Sequence, residues 1–422
     1  MSLSAHIDTL ISDKSLIQTL SEMVNIASPT GEERALAEHI SVQLNAYGIE
    51  ASVQSISDTQ ANAFGVRRTQ GADNSLMLYA PIDTVSSNNE AEDLPWLGPN
   101  MRDDFRAKAY VKDDHIFGLG AHNPKGHGAC ILEAARVLDT LDIDLPGNLF
   151  FGFGAGGMPT HGREGFPKES GHGSGCAKML AQIPNVDAAI IAKSGTSVTW
   201  EEVGFIWLDV TVAGKHNYVG ARHLMPYSNP IANASKLILK LEDWFETYAE
   251  RHATDLCRPQ GHVAHIESGW KRMPSFTPEA AKFLVDLRFT PQQNSDDVEA
   301  EFKQALEAFS AELGLETQYA RIQTIDASHT PPNDPIIQST TQIWEQLNGR
   351  PHEPFTLMSG ATDANILRQH GIPTARIGLA KAKLPNVDFA LGMNCVAISE
   401  LRHLTKFLVL SVLHYFERLT NG

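Results

Sequence analysis

The sequence predicts an α/β protein, a mixed and mostly parallel sheet flanked by helices, interrupted by an inserted α+β domain. Short apolar runs at 76–80, 149–153 and 188–192 read as buried strands of one sheet, because helical patterns at 129–141 and 175–182 separate them. Around residue 205 the pattern changes to alternation, Phe205-Ile206-Trp207-Leu208-Asp209-Val210-Thr211-Val212, and an amphipathic helix over 231–248 follows. A strand at 282–289 and a helix at 298–313 complete the insert, after which α/β text resumes with a strand at 372–378 and a closing helix at 398–416. The predicted domains are 1–204 with 323–422, and the insert 205–322.

Near the start, Thr30 and Glu33 have the spacing of a capping box ahead of Leu36, Ile40 and Leu44, which share one helical face, and Gly48 ends that helix. The carboxyl ends of the parallel strands are where α/β proteins place ligands, so the residues just after 80, 153 and 192 are the first candidates for a site.

Composition narrows the function classes. With 422 residues, 42% of them hydrophobic, the chain fills two or three domains with full cores. A formal charge of −16 argues against nucleic acid as a partner, because phosphate binding relies on clustered Lys and Arg. The longest apolar stretches, 205–212 and 404–413, fall short of the roughly 20 residues of a membrane span, and no membrane association is expected. Residues 1–14 lack a basic start followed by an apolar block, and Cys130, Cys176, Cys257 and Cys395 show no paired spacing. A cytoplasmic location is expected.

Several motifs then arrive in a family order. "MVNIASPTGEE", "LMLYAPIDTV", "IFGLGAHNPKGHGA", "FLVDLRFTP" and "MSGATDANILRQHGIPTARIG" resemble the corresponding segments of acetylornithine deacetylase, succinyl-diaminopimelate desuccinylase, aminoacylase and bacterial glutamate carboxypeptidase. The resemblance covers essentially the whole chain. It implies a zinc-exopeptidase-like fold in which the insert is a lid and dimerisation domain, and hence a homodimer formed through 205–322. It also implies two zinc ions, each held by a His and an acidic residue, with a bridging Asp and a Glu acting as general base.

At the positions where the resemblance puts those ligands, this chain has Pro81, Asn123, Gly157 or Met158, Lys193 and Ala390 (or Leu391). Proline and alanine offer no donor, the Asn amide is a poor bridge between cations, and Lys193 reverses the charge. In the lid, Tyr218 stands where the resemblance puts a His. No zinc and no other cofactor is therefore expected. Family features that persist are Asp83, Lys125, Thr362, Asp363 and Arg288, together with Gly120 and Gly126. Arg288 also fits a pair with Asp286, and Asp363 fits a cap on the helix after it.

Histidines near these loops, namely His115, His122, His127, His161 and His172, raise the question of a relocated metal site, which needs ligands converging in tetrahedral geometry. The Gly-rich segment that holds His161 and His172, "PTHGREGFPKESGHGSG", also reads as a mobile loop.

Three functions compete. The first is an enzyme of this family that keeps a cleft for a small N-acyl amino acid or peptide-like compound and works without zinc. Its residues would be Asp83 and Lys193 as catalytic groups, with Asn123, Lys125, Thr362, Asp363 and Arg288 binding the ligand. The second is a non-catalytic binding or partner subunit. The third is an ordinary zinc hydrolase with relocated ligands.

Overall fold

The structure is a computed structural model that describes residues 2–161, 170–183 and 186–421. The chain divides into two compact units, the second formed by Glu201–His329 with Thr356–Ala361 and the first by the rest.

In the first unit six strands form one sheet in the order Glu50–Ser55, Ala61–Arg67, Asn148–Gly154, Ser75–Pro81, Ala188–Ala192, Thr374–Ile377. The last four run parallel and the first two antiparallel, so the sheet is mixed. Ser75–Pro81 and Ala188–Ala192 are buried along their whole length, which is why their sequences are continuously apolar rather than alternating. Helices Asp13–Asn25, Lys125–Thr140, Pro335–Asn348 and Ile398–Asn421 supply much of the rest of the core, with Met23, Ile131, Trp344 and Phe407 among the buried side chains. The Lys125 helix starts earlier than its apolar pattern suggests, because Lys125, Gly126 and Gly128 are themselves buried.

The second unit is a four-stranded antiparallel sheet in the order Gly261–Ser268, Ala280–Phe289, Gly204–Ala213, Thr317–Ile325. Alternation in Gly204–Ala213 buries Ile206, Leu208, Val210 and Val212 against Leu237, Leu241, Phe245, Phe302 and Leu306 of helices Pro230–His252 and Ser295–Leu313. This is the predicted α+β insert built as one layer of helices on one layer of sheet.

No helix among the described residues is long and apolar enough to cross a membrane.

Candidate active site

The carboxyl ends of Ser75–Pro81, Asn148–Gly154 and Ala188–Ala192 lie side by side, and the residues that leave them build a buried cluster around Asp83. Asp83 is fully buried. Its Oδ1 accepts the Gly157 N–H at 2.8 Å, and its Oδ2 accepts the Met158 N–H at 3.0 Å and the Thr30 hydroxyl at 2.6 Å. Burial pushes the Asp83 pKa up, while the Thr30 hydrogen bond, the charge of Lys193 and the two backbone donors oppose it.

Lys193 follows the strand Ala188–Ala192 and is buried, with a relative exposure of 7%. Its ammonium is inside the protein, and its charge acts on Asp83, His122 and His127 alike.

Glu33 is the second buried carboxyl of the cluster. It accepts N–H groups from Gly31 at 3.1 Å and from Gly156 at 2.9 Å. Burial, with the charge of Asp83 as second cause, pushes its pKa up to about 8. The capping box read from Thr30 and Glu33 does not form: the helix Arg34–Ala46 has no side-chain cap, because Thr30 binds Asp83 and Glu33 binds Gly156, in loops that follow distant strands.

Asp363, the third buried carboxyl, accepts the Tyr79 hydroxyl at 2.6 Å. It sits at the N-cap of the helix Ala364–Gln369 without capping it through its side chain, and the Ala364 N–H goes to Thr362 Oγ1 instead. The Pro81 ring, Gly157 and Asp363 share one tight space: a Cβ on Gly157 would come within 2.3 Å of the Pro81 Cβ and 2.8 Å of Asp363 Oδ2. Glycine there lets the backbone turn back under Asp83.

The remaining predicted residues scatter. The Lys125 ammonium is fully buried and donates to the Ile26 carbonyl at 2.7 Å, with burial lowering its pKa to about 7. Arg288 belongs to the second unit, where both arms of its guanidinium bind Asp286 at 2.6 Å and it lies over the Phe205 ring. Asn123 and Ala390 line a cavity of about 100 Å³ beside Thr84. Tyr218 is half-exposed in the second unit.

The donor set at the expected metal positions does not fit a divalent cation. A pyrrolidine ring, a carboxamide, a glycine or thioether, an ammonium and a methyl group stand there, and none is an anionic or imidazole ligand. The nearby acids already accept hydrogen bonds from the chain. His122 and His127 come together, with ring centroids 5.4 Å apart, as do His161 and His172. The Nε2 of His122 donates to the Leu379 and Ala380 carbonyls, whereas the Nε2 of His127 accepts the Leu379 N–H, so the two rings carry opposite tautomers. His127 then has its proton on Nδ1 and offers a metal no lone pair. His115 is held by the Asp113 carbonyl instead. Among the described residues no three His, Cys, Asp or Glu side chains converge as a metal site would require. Residues 162–169 of the proposed mobile loop 159–175 lie outside the described residues.

Glu33 and Tyr79 were not legible as site residues. Glu33 has a local signal, its place in the Thr-Gly-Glu-Glu turn, but its partner Gly156 is 123 residues away.

Comparison with known proteins agrees with this architecture. Residues 201–313 match the peptidase dimerisation domain of the M20 family. A succinyl-diaminopimelate desuccinylase of Rickettsia bellii (strain OSU 85-389) is 20% identical over 378 residues, covering 85% of this chain and 88% of that protein. Among solved structures, human carnosine dipeptidase 1 superposes with a TM-score of 0.73 at 14% identity, over 99% of each chain. A tripeptidase from Staphylococcus aureus gives 0.72 at 16% identity, over 97% of this chain and 100% of its own. The chain is thus similar to that desuccinylase over most of its length and shares the α/β fold of these peptidases, and its residues 201–313 match the peptidase dimerisation domain.

Proposed function

We propose that this M20 relative binds a small N-acyl amino acid or peptide-like compound in its first unit and acts on it without zinc, the Lys193 ammonium supplying the positive charge. The observation that carries this reading is the burial of Lys193 at a strand end beside Asp83. A lysine buried for structure alone costs desolvation energy, whereas one that meets a ligand carboxylate recovers it. Glu33 supports proton transfer at the same place, since a carboxyl whose pKa is pushed to about 8 changes charge near neutral pH. A single ammonium activates water far less than zinc does, so slow hydrolysis or acid/base chemistry on the acyl group is expected.

A second reading, a non-catalytic binding subunit, is favoured by one observation: the Pro81 ring packs into the space that Gly157 leaves open and so fills part of the expected metal site. In either case the match over 201–313 supports a homodimer formed through the insert. Four buried cysteines, none of them in a disulfide among the described residues, support a cytoplasmic location.

The test is calorimetric titration of the full chain in EDTA with N-acetyl-L-alanine and with alanyl-alanine, followed by assay for released amine. Saturable binding that weakens about tenfold or more in Lys193→Ala supports the reading. No binding, or binding unchanged in the variant, overturns it. Amine release separates the catalytic from the non-catalytic form.

A further inference from the structure

The cavity beside Thr84 lies wholly in the first unit, and its lining is apolar. Phe105, Leu119, Phe389, Ala390 and Met393 form its walls, and no charged side chain lines it. The side-chain oxygens along the wall are taken or turned away. Thr84 Oγ1 donates to the Ser86 carbonyl at 3.2 Å, and Asn394 accepts the Gly120 N–H at 2.8 Å while its amide nitrogen donates to Asp104 at 3.3 Å. Ser86 Oγ and Asn123 Oδ1 are buried and present no surface to the open space. A carboxylate or an ammonium entering here would be desolvated with no counter-charge, whereas an alkyl group gains by leaving water.

Hydrogen bonds and ion pairs hold these walls in place. Arg102 binds Asp104 through both arms, at 2.9 and 2.8 Å, and also pairs with Asp388, whose side chain caps the short helix Phe389–Asn394. The Met393 carbonyl accepts the His122 and Asn123 N–H groups, which ties that helix to the loop before Lys125–Thr140. Phe389, with 75% of its surface exposed, and the half-exposed Val85 stand at the rim, so the cavity is reached from solvent. Two of its lining residues also adjoin the charged cluster in sequence. Thr84 follows Asp83 and Asn123 follows His122, and the Lys193 charge acts on both Asp83 and His122.

We infer that this cavity seats a branched aliphatic side chain of the ligand bound at the neighbouring charged cluster, so that the ligand class is an N-acyl derivative of leucine or valine. The alkyl group lies on Phe105, Leu119 and Met393, with Ala390 leaving the room for it. A cavity of about 100 Å³ sets the size. An apolar cavity of about 150 Å³ takes a benzene ring of six carbons, so about four carbons fit here, the size of an isobutyl group. An aromatic side chain is too large and a methyl group leaves most of the space empty. The inference rests on the Lys193 reading for the charged end of the ligand, and on the cavity's own lining for the side chain.

The experiment is NMR titration of the full chain in EDTA, labelled at its methionine methyls, with N-acetyl-L-leucine, N-acetyl-L-alanine and N-acetyl-L-aspartate, and separately with dissolved xenon. Burial of the extra carbons makes N-acetyl-L-leucine bind about tenfold or more tightly than N-acetyl-L-alanine, with a saturable shift of the Met393 methyl. N-acetyl-L-aspartate, close to leucine in shape but charged, binds no better than N-acetyl-L-alanine. Ala390→Leu fills the space and removes the preference for leucine, and Leu119→Ala widens it and moves the preference toward N-acetyl-L-phenylalanine. The ligand series on the parent protein decides the matter even where a variant fails to fold. The inference is overturned if leucine gains nothing over alanine, if aspartate matches leucine, if xenon leaves the Met393 methyl unmoved, or if both variants fold and keep the parent's preference. N-acetyl-L-alanine bound through Lys193 with no gain for leucine counts against this inference alone. Xenon at Met393 with no N-acyl amino acid bound shows instead that the Lys193 reading has failed, and the ligand class falls with it.

Discussion

The Lys193 ammonium lowers the pKa of Asp83 from the end of the neighbouring strand, against a burial that raises it. The Asp83 carboxyl is held above its ordinary range, so the native state binds that proton more tightly than the unfolded chain does. Its contribution to stability is therefore present at low pH and lost as pH rises through the folded pKa. Removing Lys193 raises that pKa further. Lys193→Met is expected to destabilise by about 1–3 kcal/mol at pH 7.5 and by less at pH 4.5, as read from urea melts. Equal losses at both pH values would contradict the coupling.

Glu33 gives a second, separable titration. Its pKa is pushed up to about 8, so its stabilising protonated form is lost as pH rises from 4.5 toward 8. Glu33→Gln keeps an oxygen for the Gly31 and Gly156 donors and carries no charge. The variant is expected to melt at the same temperature as the parent near pH 4.5 and higher than the parent at pH 8.5. A variant less stable than the parent at pH 8.5 would contradict the raised pKa of Glu33.

His122 acts on the acid side. Burial, the first cause, pulls its pKa down to about 4, so the unfolded chain takes up a proton that the folded one refuses between about 6.5 and 4. Stability should fall across that window as pH drops, and fall less in His122→Gln, which keeps a donor for the Leu379 and Ala380 carbonyls. Parallel melting curves for the two proteins would contradict this.

The fold was readable where burial dictates composition. Ser75–Pro81 and Ala188–Ala192 are covered on both faces and are apolar throughout, and Gly204–Ala213 is covered on one face and alternates. Of the buried cluster, only residues that stand at motif positions, Asp83, Lys193 and Asp363, were readable from the sequence. Its other members depend on contacts between distant parts of the chain. Thr30 reaches Asp83 across 53 positions and Tyr79 reaches Asp363 across 284, and local patterns carry no trace of such pairs. The local capping signal of Thr30 and Glu33 lost to those contacts because buried carboxylates need donors more than an N-terminal helix turn needs a cap.

The second unit predicts an assembly. Its match to a dimerisation domain and its exposed apolar residues Val219, Leu224, Met225 and Trp270 lead to an expected mass of two chains by light scattering at tens of micromolar. Trp270→Glu with Leu224→Glu should shift that mass toward one chain if those residues lie in the contact. A parent protein that scatters as a single chain would contradict the dimer.

The central claim is a site whose positive charge is Lys193 and not zinc, and its most direct test is thermal melting of chelator-free protein with added zinc, paired with elemental analysis. A ligand that binds only the native state raises its stability by mass action. The account predicts well under one zinc per chain and no rise in melting temperature with micromolar zinc. Stoichiometric zinc, or a melting temperature that climbs with zinc concentration, would contradict it.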